Sequence, residues 1–133
     1  MHCTEVQLDK VKDILAYGWE LWRENLPIEP EFQQCRVARE VLYTYDGKHA
    51  VSLAGACESF WLFRRLHEMA QAHPIYSTLI GDYFFSLFSK CLIELDNVEV
   101  TDKFAKLLTV DTFKPISAEE YLNFVRGLQA VLS

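Results

Sequence analysis

By residue type, His67, Glu68 and His73 are the side chains best suited to hold a metal ion. Their spacing works against it. Neighbours on a helix point about 100° apart, so His67 and Glu68 do not converge on one ion. His73 leaves that face as well, and the H-E-x-x-H spacing of helical zinc sites is absent. The spacing fits a polar helix end carrying solvated histidines. Asp9 and Asp13 share a helix face, but Lys10 and Lys12 flank them. Glu119 and Glu120 fall in a first helical turn, where the helix dipole favours negative charge. Both carboxylate pairs read as solvated faces. No two aspartates are adjacent, and there is no G-x-S-x-G, no glycine-rich phosphate loop and no cysteine with an evident histidine partner.

Asp82 is the polar residue that asks for an explanation. It lies inside His73–Leu95, a segment apolar on almost every side and interrupted by Gly81-Asp82. A helix that is hydrophobic all round is expected to be buried all round, either at the centre of the core or at a subunit interface. Asp82 must then fall on a wet side with Lys90 and Glu94, or be held by a partner where Gly81 lets another helix approach. Tyr83, Phe84, Leu87 and Phe88 form one broad face that Phe85 widens. Such a face suits the core of an interface.

The rest of the chain supplies elements to position that segment, and its pattern is helical nearly everywhere. Thr4 and Gln7 match a capping box, followed at helical spacing by Leu8, Val11, Leu15, Gly18 or Trp19, and Trp22. Pro27 and Pro30 stop this first helix. A second is expected from near Glu31 through Cys35, Val37, Ala38, Val41 and Leu42 to the stop signal Asp46-Gly47. A third runs from about Lys48 to Gln71 and turns polar at Arg64, Arg65, His67 and Glu68. Gly55 within it reads as a point of close helix packing. The fourth follows Pro74 and ends at Asp96-Asn97. A fifth holds Val100, Phe104, Leu107 and Leu108, and a sixth opens with the capping box Ser117 and Glu120. The expectation is one all-α domain over residues 1–133, with five to six antiparallel helices joined by short connections.

Composition narrows the function classes. The chain has 133 residues, half of them hydrophobic, and a net charge of −6. That is a globular composition, and the acidic balance argues against a nucleic-acid surface. Cys3, Cys35, Cys57 and Cys91 form no C-x-x-C pair and read as reduced thiols, three of them buried, rather than a disulfide framework or a zinc site. Charges at Glu5, Asp9, Lys10 and Lys12 break any signal-peptide pattern. Asp82, Lys90 and Glu94 argue against a membrane span, since a charge near the bilayer centre costs roughly 3 kcal/mol. A cytoplasmic protein with no membrane span is expected.

The run Gly81-Asp82-Tyr83-Phe84, with weaker similarity out to Leu95, resembles a helix of the trans-polyprenyl diphosphate synthases. The resemblance implies an all-α fold with this helix near a dimer interface, and so assigns Gly81, Asp82, Tyr83, Phe84, Leu87 and Phe88 to a partner contact. The chain departs from the family where its chemistry resides. The aspartate-rich motif D-D-x-x-D is absent, and His67-Glu68-Met69-Ala70-Gln71 stands in the corresponding stretch. The second such motif has no counterpart in these 133 residues. Family members ionise an allylic diphosphate with Mg²⁺ held by those aspartates. The resemblance therefore implies a truncated, non-catalytic subunit of a heteromeric hexaprenyl or heptaprenyl diphosphate synthase. Such a subunit has no activity alone, holds no cofactor, and leaves Mg²⁺ to the catalytic partner. It helps set product length, usually for a menaquinone side chain. The residues alone leave open a different class, a self-associating helical interaction protein (a possible homodimer) or an apolar-ligand-binding protein.

Overall fold

The computed structural model describes residues 4–45, 47–110 and 115–132; Cys3 and Asp46, read above from sequence, lie outside them. Among the described residues there are six α-helices and no strand: α1 (Thr4–Asn25), α2 (Arg36–Thr44), α3 (Ala50–Glu68), α4 (Pro74–Leu95), α5 (Val98–Val110) and α6 (Ala118–Leu132). They surround one continuous apolar core.

Local signals explain most boundaries. After Asn25, Leu26 still donates to the Trp22 carbonyl, and Pro27 then ends the run. Pro74 begins α4, where its missing N–H has no helical partner to lose. Asn97 Oδ1 accepts the Val100 amide and starts α5. At α6 the Ser117 hydroxyl accepts the Glu120 amide, one half of the capping box, and donates to the Glu120 carboxylate in place of the reciprocal backbone bond.

The expected second helix is divided. Residues Pro30–Gln33 form a short 3-10 turn, and α2 begins only at Arg36. The break is Cys35, whose φ of 55° and ψ of 44° lie in the left-handed region. A continuous right-handed helix cannot pass through such a residue.

α3 is the hub, packed on α1, α2 and α4. Its pairing with α4 is antiparallel: Phe60 meets Phe88 and Phe63 meets Phe85, with ring centroids 5.1 and 5.0 Å apart. By contrast α2 and α6, which are not consecutive, run parallel. Arg36 pairs with Glu119, Glu40 with Arg126, and Thr44 with Gln129. α6 is also tied to α3, where the Tyr121 hydroxyl donates to the Cys57 carbonyl at 2.6 Å.

α4 departs most from expectation. It is not buried all round. Ser77, Ile80, Gly81, Phe84, Phe88, Cys91 and Leu95 face inward, while Ile75, Tyr76, Leu79, Asp82, Ser86, Lys90 and Ile93 are exposed. α4 rests chiefly on α3 and α1, which cover one side of it. Among the described residues no helix is long and apolar enough to cross a membrane.

Candidate functional site

The six residues assigned to a partner contact do not share one surface. Gly81, Phe84 and Phe88 lie in this chain's own core, Phe84 with no exposed area at all. Asp82 is exposed, and Tyr83 and Leu87 sit half-buried at the margin. Phe84 fits into a slot made by Gly18 of α1. A methyl group built at Gly18 would meet the Phe84 ring at 2.5 Å. Gly81 has no such duty, since a methyl group there would meet Leu66 at an ordinary 3.6 Å. The close approach expected at Gly81 is therefore made at Gly18. Gly55 does pack closely, with Cys91 Sγ 3.0 Å from where its Cβ would be. Asp82 needs no partner to satisfy it, because it faces solvent with Lys90 and Glu94.

What α4 offers outward is a separate set of side chains. Ile75 and Leu79, one turn apart, are 68% and 61% exposed, and Tyr76 lies beside them. Tyr83 continues this side and meets the exposed Tyr17 of α1 edge to face, at 5.3 Å between ring centroids. At the other end of α4, Ile93 and Val98 are 77% and 83% exposed.

The side chains weighed as metal ligands are dispersed. His67 packs against the Phe63 ring, Glu68 pairs with Arg65 at 3.2 Å, and His73 precedes α4 in an exposed position. No group of three histidine, cysteine or acidic side chains among the described residues is placed to hold a metal ion. Asp9, Asp13, Glu119 and Glu120 all face solvent.

Two polar features escape the sequence pattern. Glu58 of α3 is 2% exposed, and its carboxylate accepts the Ala38 amide at 3.0 Å and also the Val37 amide. It thereby caps the start of α2 from another helix, because Cys35 offers no side-chain cap. Burial pushes its carboxyl up to about 7, against the opposing pull of those two amides. The same burial, with Glu58 nearby, raises the Cys35 thiol to about 12 and holds the Cys57 thiol higher still. These cysteines are inert thiols at neutral pH. A lone carboxylate in the small, apolar run Ala54-Gly-Ala-Cys-Glu-Ser59 was the available signal for Glu58.

The second feature is a cavity of about 170 Å³ where the Pro30–Gln33 turn, the start of α2, α3 and the start of α6 meet. Its lining includes Phe32, Arg36, Trp61, Arg65 and Tyr121. Trp61 and Tyr121 stack at 5.2 Å, and the Arg65 guanidinium lies 4.0 Å from the Trp61 ring centre. Desolvation lowers the affinity of Arg65 for its proton, with Glu68 opposing.

No protein-family model, curated protein or solved structure matches this chain.

Proposed function

We propose that this chain is a cytoplasmic, non-catalytic accessory subunit that docks on a helical protein partner through the outer face of α4. The observation that carries this reading is the exposed apolar set Ile75, Tyr76 and Leu79 on one side of one helix. Exposed apolar residues scattered singly are ordinary, but a contiguous group on one face marks an interaction surface. The partner suggested by the Gly81-Asp82-Tyr83-Phe84 resemblance is the catalytic subunit of a heteromeric trans-polyprenyl diphosphate synthase. That subunit would hold the Mg²⁺ and the aspartates that this sequence lacks.

Co-expression with such a catalytic subunit tests the reading. The expected result is a stable complex with prenyltransferase activity that neither chain shows alone, lost in the double variant Ile75→Glu, Leu79→Glu. A chain that stays monomeric and activates no such subunit overturns it. The same face would serve a second copy of this chain in the alternative reading. A tight homodimer that ignores the synthase, and that the same double variant dissociates, favours self-association.

A further inference from the structure

We propose that the outer seam of α4 pairs, antiparallel and in a single register, with the same seam of a second copy of this chain. The inference rests on that face being the docking surface proposed above, and it names the occupant when no catalytic subunit is present. Ile75, Leu79, Asp82, Ser86, Ser89 and Ile93 follow one another along α4 at alternating steps of four and three residues. That is the spacing of a coiled-coil seam, which keeps one narrow stripe turned toward a neighbouring helix. The stripe is open. Ser89 is half-buried and the other five residues are exposed, Ile93 the most.

The order of residue types along the stripe fits a second copy. A two-fold axis at the level of Phe84 sets Ile75 against Ile93 of the other copy, Leu79 against Ser89, and Asp82 against Ser86. Each contact then occurs twice, as a two-fold interface requires. The Ser86 hydroxyl donates to the Asp82 carboxylate across the axis, a charge-assisted hydrogen bond made in both directions. Polar residues within a seam fix its register at a cost in stability, so the pairing is specific and readily reversed. Tyr76, Tyr83 and Lys90 run beside the seam at seven-residue steps. The same axis brings the Lys90 ammonium to the ring of Tyr76 on the other copy, a cation–π contact, and sets Tyr83 beside its own equivalent. Parallel pairing is opposed by charge, because it places Asp82 directly on Asp82.

Sedimentation of the purified chain alone tests the association, and cysteine cross-linking tests the register. The expected result is a monomer–dimer equilibrium with a dissociation constant below about 100 µM, the weak end of specific association. Ser86→Asp sets two carboxylates against each other at both symmetric positions and should weaken the dimer at least about tenfold. The exchanged variant Asp82→Ser, Ser86→Asp restores the pairing and should return to within about threefold of the native value. Both positions are exposed, so helicity should not change. In a Cys3→Ser background with oxidised glutathione, Ile75→Cys mixed with Ile93→Cys should give a disulfide-linked dimer, and neither variant should do so by itself. A chain that is monomeric up to about 500 µM, a Ser86→Asp variant that dimerises like the native chain, an exchange that fails to restore it, or cross-linking of either single variant with itself overturns the inference. A monomeric chain that still activates a catalytic subunit overturns the dimer alone. A dimer with these properties that activates no subunit overturns the subunit reading alone.

Discussion

α3 and α4 lie side by side, and their sequences suggest the reverse of their roles. α4 is the more apolar, yet only 7 of its 22 residues are buried. α3 carries Glu58, Ser59, Arg64 and Arg65, yet 12 of its 19 residues are buried. The difference lies in side-chain size. Ala50, Ala54, Gly55, Ala56, Cys57 and Ser59 let neighbours approach α3 from several sides, and helix axes come closest where the contact residues are small. α4 is studded with large side chains that need a neighbour on each side, and α3 and α1 cover only one. Hydropathy thus says what a helix would gain from burial, whereas residue size governs how many helices can reach it.

The largest expected effect separates the two faces of α4. Phe84→Asp places a charge in the core where even truncation to alanine costs about 3–5 kcal/mol, so unfolding is expected. Leu79→Asp, on the outer face one turn away, should change stability by less than about 0.5 kcal/mol. Chemical denaturation of both variants checks this, and equal losses would end the distinction between inner and outer faces.

The next effect belongs to α3. The folded carboxyl of Glu58 titrates near 7 against an ordinary value of 4.5. A raised carboxyl contributes fully below the unfolded value and loses its contribution as pH rises through the folded one. Stability of the native chain should therefore fall between about pH 4.5 and pH 7, by up to about 3 kcal/mol relative to Glu58→Gln. Denaturation midpoints of both proteins across that range measure it. Parallel profiles would mean that Glu58 does not titrate in the fold.

Smaller effects test where close packing is needed. Gly18→Ala pushes into the Phe84 ring and should cost about 1–3 kcal/mol. Gly81→Ala meets only ordinary contacts and should gain up to about 1 kcal/mol from helix propensity. Thermal melts of the pair should thus shift in opposite directions. Gly127→Ala in α6 meets nothing within 4 Å and serves as the control, with a gain of about 1 kcal/mol at most.

How much of this was legible follows from what kind of signal each feature carries. Helix ends were readable because proline, asparagine and a Ser–Glu box act through the backbone within a few residues. The start of α2 was not, because a left-handed Cys35 has no signature of its own. The amides that follow it, of Val37 and Ala38, are met by a distant carboxylate, Glu58. The inward placement of Phe84 was hidden for a related reason. Its slot is Gly18, more than sixty residues earlier, whereas Gly81, three residues away in sequence, forms none. The cavity between α2, α3 and α6 joins residues from Phe32 to Tyr121, which no local pattern connects.

The carboxylate that caps α2 also has a consequence for the order of assembly. α2 has nine residues, too few to persist alone, since isolated helices below about 12 residues are marginal in water. Its first amides find their acceptor only when residue 58 arrives. In a chain made from its N-terminus, α2 is thus a segment in waiting, written before α3 but folded on α3's terms. Its amide protons should exchange no more slowly than those of the α3 contact that holds them.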